Sequence, residues 1–294
     1  MKVGIVLPLF SGDPEKVLAA ARETEELGYD GAFVFDHFFP PGAPPDRPSL
    51  EGFTTLAAVA AATERIEVGT LVTRASLRPA GLLAKQAAWL DAASGGRLIL
   101  GIGTGDALDR AEHRAYGIPL LGKEDRRAHL AEVLEALRAL FAGRTFPGGA
   151  RVPPLEGPLR PPSPRPEGPP IWVGGLAEPV VRLAGRLADG WNGWGVEVPV
   201  FREKVAILTE GAEGREVAAT WAGIVTTAPG RAEVDGMMEE RRARGMEDGW
   251  SGTTEELAGF LRGLREAGCA WAVLVAAGPR DRRALIAREV LPQL

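Results

Sequence analysis

RIEVGTLVTRASLRPAGLLAKQAAWLDAASGGRLILGIGTG, residues 65–105, decides the fold. It opens with an apolar, β-branched run at 66–73 and passes into a helical pattern at 79–93. It closes with a second apolar run at 97–103 that ends in a glycine-rich turn. A βαβ unit of this kind closes right-handed with its strands parallel. Its two strand ends, 70–73 and 103–106, therefore lie on one face of a sheet, and parallel α/β folds bind their ligands on that face.

The same alternation extends in both directions. Strands are expected at 2–9, 31–35, 171–173, 190–194, within 219–227 and at 271–276. Helices are expected at 14–27, 53–63, 125–141, 179–187, after Pro199, at 254–267 and at 280–290. Eight βα units within 294 residues predict an α/β fold, a (β/α)8 TIM barrel formed as one domain over residues 1–294. Residues 143–170 are too rich in proline and glycine for a central element. They read as a surface excursion between the fourth helix and the fifth strand, with at most a short hairpin. A charged stretch leads from the seventh strand to the seventh helix.

A formal net charge of −5 argues against a general nucleic-acid binder or an anionic-membrane binder. No apolar run approaches the roughly 20 residues that cross a bilayer. Cys269 is the only cysteine, so neither a disulfide framework nor a cysteine metal cluster is available. A cytoplasmic enzyme acting on a small molecule is the expectation.

Catalytic groups in such a barrel come from the C-terminal ends of strands. The polar candidates there are Asp36 and His37, Thr70 and Thr73, Thr104 and Asp106, the Gly174-Gly175 pair, and Asn192. Asp36, His37 and Asp106 are the proton-transfer candidates. A strand-end histidine oriented by a carboxylate titrates near neutrality; the alternative is that Asp36-His37 only closes the loop. His113 and His129 read as solvated, and three scattered histidines do not make a zinc set. Gly101-Ile-Gly103-Thr-Gly105 lacks the helix that a dinucleotide fingerprint requires. It fits either close backbone approach to a flat ligand or a plain tight turn. Gly174-Gly175-Leu-Ala-Glu-Pro leads from a strand into a helix whose first amides suit an anion, with Glu178 in that first turn.

Five segments in order carry a resemblance over nearly the whole chain: GYDGAFVFDH (28–37), RIEVGTLVT (65–73), SGGRLILGIGTG (94–105), PPIWVGG with AGRLADGWN (169–175 and 184–192), and GTTEELAGFLRGLREAGCAWAVL (252–274). Together they resemble the bacterial luciferase-like superfamily of flavin-dependent oxidoreductases. The resemblance implies a barrel that binds FMN or the deazaflavin coenzyme F-420, and a homodimer. The ring would lie against Thr70, Leu71, Gly103, Thr104 and Gly105, and the phosphate against Gly174, Gly175, Leu176 and Ala177. It also implies a cis peptide at Thr70-Leu71.

GIGTGDAL is similar to the strand 4 loop of deazaflavin-dependent sugar-phosphate dehydrogenases, which carry Glu where Asp106 stands. Those enzymes also carry a tryptophan where this chain has Pro40-Pro41, a histidine on the strand read here as WAVLVAAG, and a lysine in the Gly195-Val196-Glu197 region. Sugar-phosphate dehydrogenation is therefore not supported. The leading expectation is a flavin-dependent oxidoreductase or monooxygenase. An F-420-dependent hydride-transfer enzyme, a non-catalytic flavin-binding relative and a cofactor-free lyase or hydrolase are the alternatives. FMN is slightly favoured over F-420, because one helix N-terminus satisfies one compact phosphate and Glu178 and Glu197 leave no basic exit.

Overall fold

A computed structural model describes residues 1–105, 110–246, 249–278 and 282–294. Its strands are β1 (Lys2–Val6), β2 (Gly31–Val34), β3 (Glu67–Thr70), β4 (Thr73–Arg74), β5 (Leu98–Gly103), β6 (Ile171–Gly174), β7 (Gly190–Trp194), β8 (Ala218–Ala228), β9 (Trp250–Thr253) and β10 (Cys269–Ala277). Its helices are α1 (Pro14–Glu26), α2 (Gly52–Ala62), α3 (Ala80–Ala93), α4 (Arg110–Ala115), α5 (Lys123–Phe141), α6 (Glu178–Leu187), α7 (Val198–Ala212), α8 (Arg231–Ala243), α9 (Thr254–Glu266) and α10 (Arg282–Glu289). β1, β2, β3, β5, β6, β7, β8 and β10 pair in parallel in that order, and β8 pairs with β10 to close the ring. The expected (β/α)8 barrel is the observed one.

Local chemistry sets the element ends. Asp13 caps α1 by accepting from the Glu15 and Lys16 amides, Pro14 opens the helix, and Gly28 at φ 83° leaves it. Thr253 and Glu256 form a reciprocal capping box that starts α9.

The barrel interior is a packed aromatic plug. Phe33 is fully buried, stacked on Trp172 at 5.6 Å and edge-on to Trp271 at 5.7 Å. Glycines on the neighbouring strands make room for it. A Cβ on Gly4 or on Gly69 would stand 2.7 Å from the Phe33 ring. Below the mouth the barrel is therefore filled, and ligands are confined to the strand ends.

Three details differ from the sequence expectation. The third strand does not run unbroken to residue 73. It stops at Thr70, the chain bulges through Leu71 and Val72, and β4 resumes beside β5. The non-proline cis peptide lies in that bulge at Leu71-Val72, one residue later than expected. The charged stretch after β8 is not a bare connection to the next helix: it forms α8 and then β9, which pairs with β8 outside the barrel ring. Only Val234 and Met238 of α8 are buried, against Ala228, so its apolar stripe is too thin to announce a helix. Residues 143–170 do form an excursion with one hairpin-like bridge, Phe146 to Leu155. Ser163 and Arg165 pin it to the buried Asp91 of α3.

Phe33→Ala should cost about 3–5 kcal/mol, the usual range for emptying a large aromatic site in a core. Urea denaturation followed by far-UV circular dichroism would measure it. A loss below 1 kcal/mol would mean that the plug is not what holds the barrel.

Candidate active site

β2 ends at Val34 and delivers Phe35, Asp36 and His37 to the mouth. His37 is 21% exposed at its side chain. Its Nδ1 lies 2.7 Å from Oε1 of Glu112, a residue of α4 that is only 1% exposed. The other Glu112 oxygen accepts from the Phe38 amide at 2.9 Å and from the Arg74 guanidinium at 2.6 Å. Burial alone would raise the Glu112 carboxyl. The His37 hydrogen bond and charge, the Phe38 amide and Arg74 outweigh it and hold the group below the usual carboxylate range. An ionised carboxylate only accepts hydrogen bonds, so Nδ1 carries the hydrogen it shares with Glu112.

The carboxylate that orients His37 is thus Glu112, 75 residues away in sequence. Nothing in the run RAEHRA marks it from sequence, because a glutamate on a short polar helix normally faces water. Asp36 belongs to a second cluster. It is buried, accepts from Thr73 Oγ1 at 2.6 Å, and engages Arg78 through both oxygens. Arg78 also reaches Glu51, which caps α2 through the Phe53 and Thr54 amides. Asp36 therefore ties the β2, α2 and β4 segments together. Asp106 lies outside the described residues. His113 is buried, with Nδ1 near the Ile118 and Pro119 carbonyls. His129 is partly buried, with Nε2 3.3 Å from the Ala75 carbonyl. The solvated expectation fails for His113, because the 110–120 turn folds back over it.

The expected cofactor positions fall into two groups. In the first, Thr70 is buried and donates to the Gly101 carbonyl at 2.7 Å, Leu71 is buried, and Thr104 donates to the Gly105 carbonyl at 3.0 Å. Gly105 has φ 71°, so a tight turn does require glycine there. The side chain the bulge presents to the mouth is Val72. A Cβ on Gly103 would stand 2.9 Å from it, and one on Gly174 3.1 Å. Gly101, Gly103 and Gly174 accommodate Val72, so any flat ligand would meet Val72 before the glycine backbone. Sequence reasoning missed Val72 because it reads as one more strand valine.

In the second group, Gly174 ends β6, Gly175 takes φ 143°, Leu176 is exposed, and Ala177 caps α6 without a side-chain hydrogen bond. Glu178 is paired with Arg182, which also holds Glu210. The acid that would repel a phosphate is thereby compensated. Asn192 on β7 is buried and donates to Thr220 at 2.9 Å.

These residues fit a flavin-type group. Val72 offers an apolar face over a glycine floor, and the first turn of α6 offers an uncapped N-terminus to an anion.

The luciferase-like monooxygenase family model matches residues 1–277. The F420-dependent glucose-6-phosphate dehydrogenase of Beutenbergia cavernae is 32% identical over 189 residues, covering 60% of this chain and 52% of that protein. The chain thus spans about half the length of that relative. The enzyme of the same name from Kineococcus radiotolerans is 29% identical over 329 residues, covering 96% of this chain and 93% of that protein. The solved structure of an F420-dependent secondary alcohol dehydrogenase, in complex with an F420-acetone adduct, superimposes with a TM-score of 0.84. It does so at 19% identity over 99% of this chain and 98% of that one, a likeness of fold. By its barrel, its order of motifs and a family match from the first residue to β10, the chain belongs to the luciferase-like monooxygenase family, and with it to the oxidoreductases.

Proposed function

We propose that this protein is an F420-dependent hydride-transfer dehydrogenase or reductase in which His37 is the proton-transfer residue. The observation that carries the reading is the His37–Glu112–Arg74 chain at the end of β2, beside an apolar mouth. The F420-dependent names of its relatives favour the deazaflavin over FMN and so reverse the preference drawn from the phosphate site alone.

When bound, the deazaflavin supplies a two-electron hydride acceptor or donor. The chain supplies the rest. Val72 and the α6 N-terminus would hold the group. Glu112 keeps the hydrogen on Nδ1 of His37, so that Nε2 accepts the hydroxyl proton as an alcohol becomes a carbonyl. In the reverse direction the same nitrogen returns it. The His37 ring, the Phe38 amide and Arg74 together keep Glu112 ionised. Arg78, held by Asp36 and Glu51, fixes the loops from which His37 and Val72 project.

Fluorescence titration should show F420 binding at least tenfold tighter than FMN, a difference of about 1.4 kcal/mol. The opposite order would return the protein to the FMN branch. His37→Ala should lower kcat by about 10²–10⁴-fold and leave F420 affinity within a few-fold. Full activity in that variant would remove the assigned role.

Glu112→Gln breaks the buried Arg74–Glu112 ion pair and should cost about 3 kcal/mol or more. Because the Glu112 carboxyl is depressed in the folded state, its contribution is complete above the ordinary glutamate range. It is lost as pH falls through the folded value. Wild type should therefore lose stability more steeply than Glu112→Gln below about pH 4.5. Parallel acid-denaturation curves for the two proteins would contradict this.

A further inference from the structure

The walls of the mouth define what His37 acts on. Phe35, Val72, Trp194, Ile224 and Val275 stand at inward-facing strand-end positions. All five are apolar and partly exposed. Phe35 is the centre of this wall. It stacks on Phe10 at 5.7 Å, meets Trp194 edge-on at 5.8 Å, and meets the His37 ring itself at 6.3 Å. The proton-transfer imidazole therefore projects from an aromatic surface that presents no charge of its own.

Among the described residues, four arginines near the mouth are each held by a carboxylate. Arg74 is held by Glu112, and Arg78 by Asp36 and Glu51. Arg231, at the start of α8, is held by Glu256. Arg282, at the start of α10, is held by Glu233. A phosphate ester entering here would have to take a guanidinium from one of these carboxylates and leave that carboxylate uncompensated. Beyond these, the described strand-end loops and helix starts carry Arg47, Arg110, Arg114 and Lys123, all exposed. Arg110 and Arg114 line a surface hollow with His113 and Ile118.

Resting on the hydride-transfer reading above, we infer that the substrate is a neutral, compact, largely apolar alcohol or its carbonyl partner. This sets the chain apart from the sugar-phosphate dehydrogenases it matches in sequence. An aliphatic group of a few carbons would pack on Phe35 and Trp194 with its oxygen at His37. Each further methylene buried there should tighten binding by about fourfold, the equivalent of 0.8 kcal/mol.

The test is an NMR titration of the whole protein, alone and saturated with oxidised F420. The probes are 2-propanol, 2-butanol, 2-pentanol and glucose 6-phosphate. Affinity is expected to climb along the alcohol series and to exceed that for the sugar phosphate. Phe35→Ala and Trp194→Ala should each flatten the climb, and Phe35→Leu should keep most of it. A flat series in the wild type would overturn the inference. So would glucose 6-phosphate binding tighter than 2-pentanol, above all if Arg110→Ala combined with Arg114→Ala abolished it. Failure of the cofactor reading shows separately, as absence of saturation by F420, and the series on the protein alone then decides the substrate class.

Discussion

One buried carboxylate governs the mouth of this barrel. Glu112 has almost no contact with solvent, yet it stays ionised because an imidazole, a guanidinium and a backbone amide converge on it. A lone buried carboxylate would protonate. Protonated, it would no longer hold the hydrogen on Nδ1 of His37 as an acceptor does. Arg74 is likewise buried beside Glu112 and donates to it. The arrangement of His37 is thus set by a balance of buried charges spanning β2, β4 and α4.

That balance sits on a mechanical base. The aromatic plug of Phe33, Trp172 and Trp271 fills the barrel below, and the glycines that admit it keep the strands close. Above the plug the third strand breaks into the Leu71-Val72 bulge. That break brings Val72 over Gly101, Gly103 and Gly174 and lets Arg74 reach Glu112. The Asp36–Arg78–Glu51 cluster fastens the same loops from the other side and anchors the N-terminus of α2. Two charge clusters thus brace one bulge, and Arg74 joins them by donating to the Asp36 carbonyl at 3.4 Å.

The barrel was legible in the sequence because its signals are local. Alternating apolar runs, Gly28 after α1 and the Pro/Gly density of 143–170 each announce themselves within a few residues. His37 was legible as a strand-end histidine. Its partner was not, because the contact between residues 37 and 112 is made by topology, and Glu112 sits in a run that reads as a solvated helix. The same reason hid Val72, whose role depends on a bulge that breaks the strand pattern, and α8, whose buried stripe is two residues wide. The glycines at 101 and 103 are places of close approach within the chain itself: a Cβ on Gly103 would meet Val72 first, and one on Gly101 the Thr70 carbonyl and then Val72.

The most direct test of the central claim is the tautomer of His37, read by ¹⁵N NMR at alkaline pH, where imidazoles are neutral. An ionised Glu112 on Nδ1 predicts a single form with hydrogen on Nδ1 and a bare Nε2, and predicts that Glu112→Gln mixes the two forms. A wild-type His37 with its hydrogen on Nε2 would contradict the account, because the nitrogen assigned to proton exchange would then be unable to accept one.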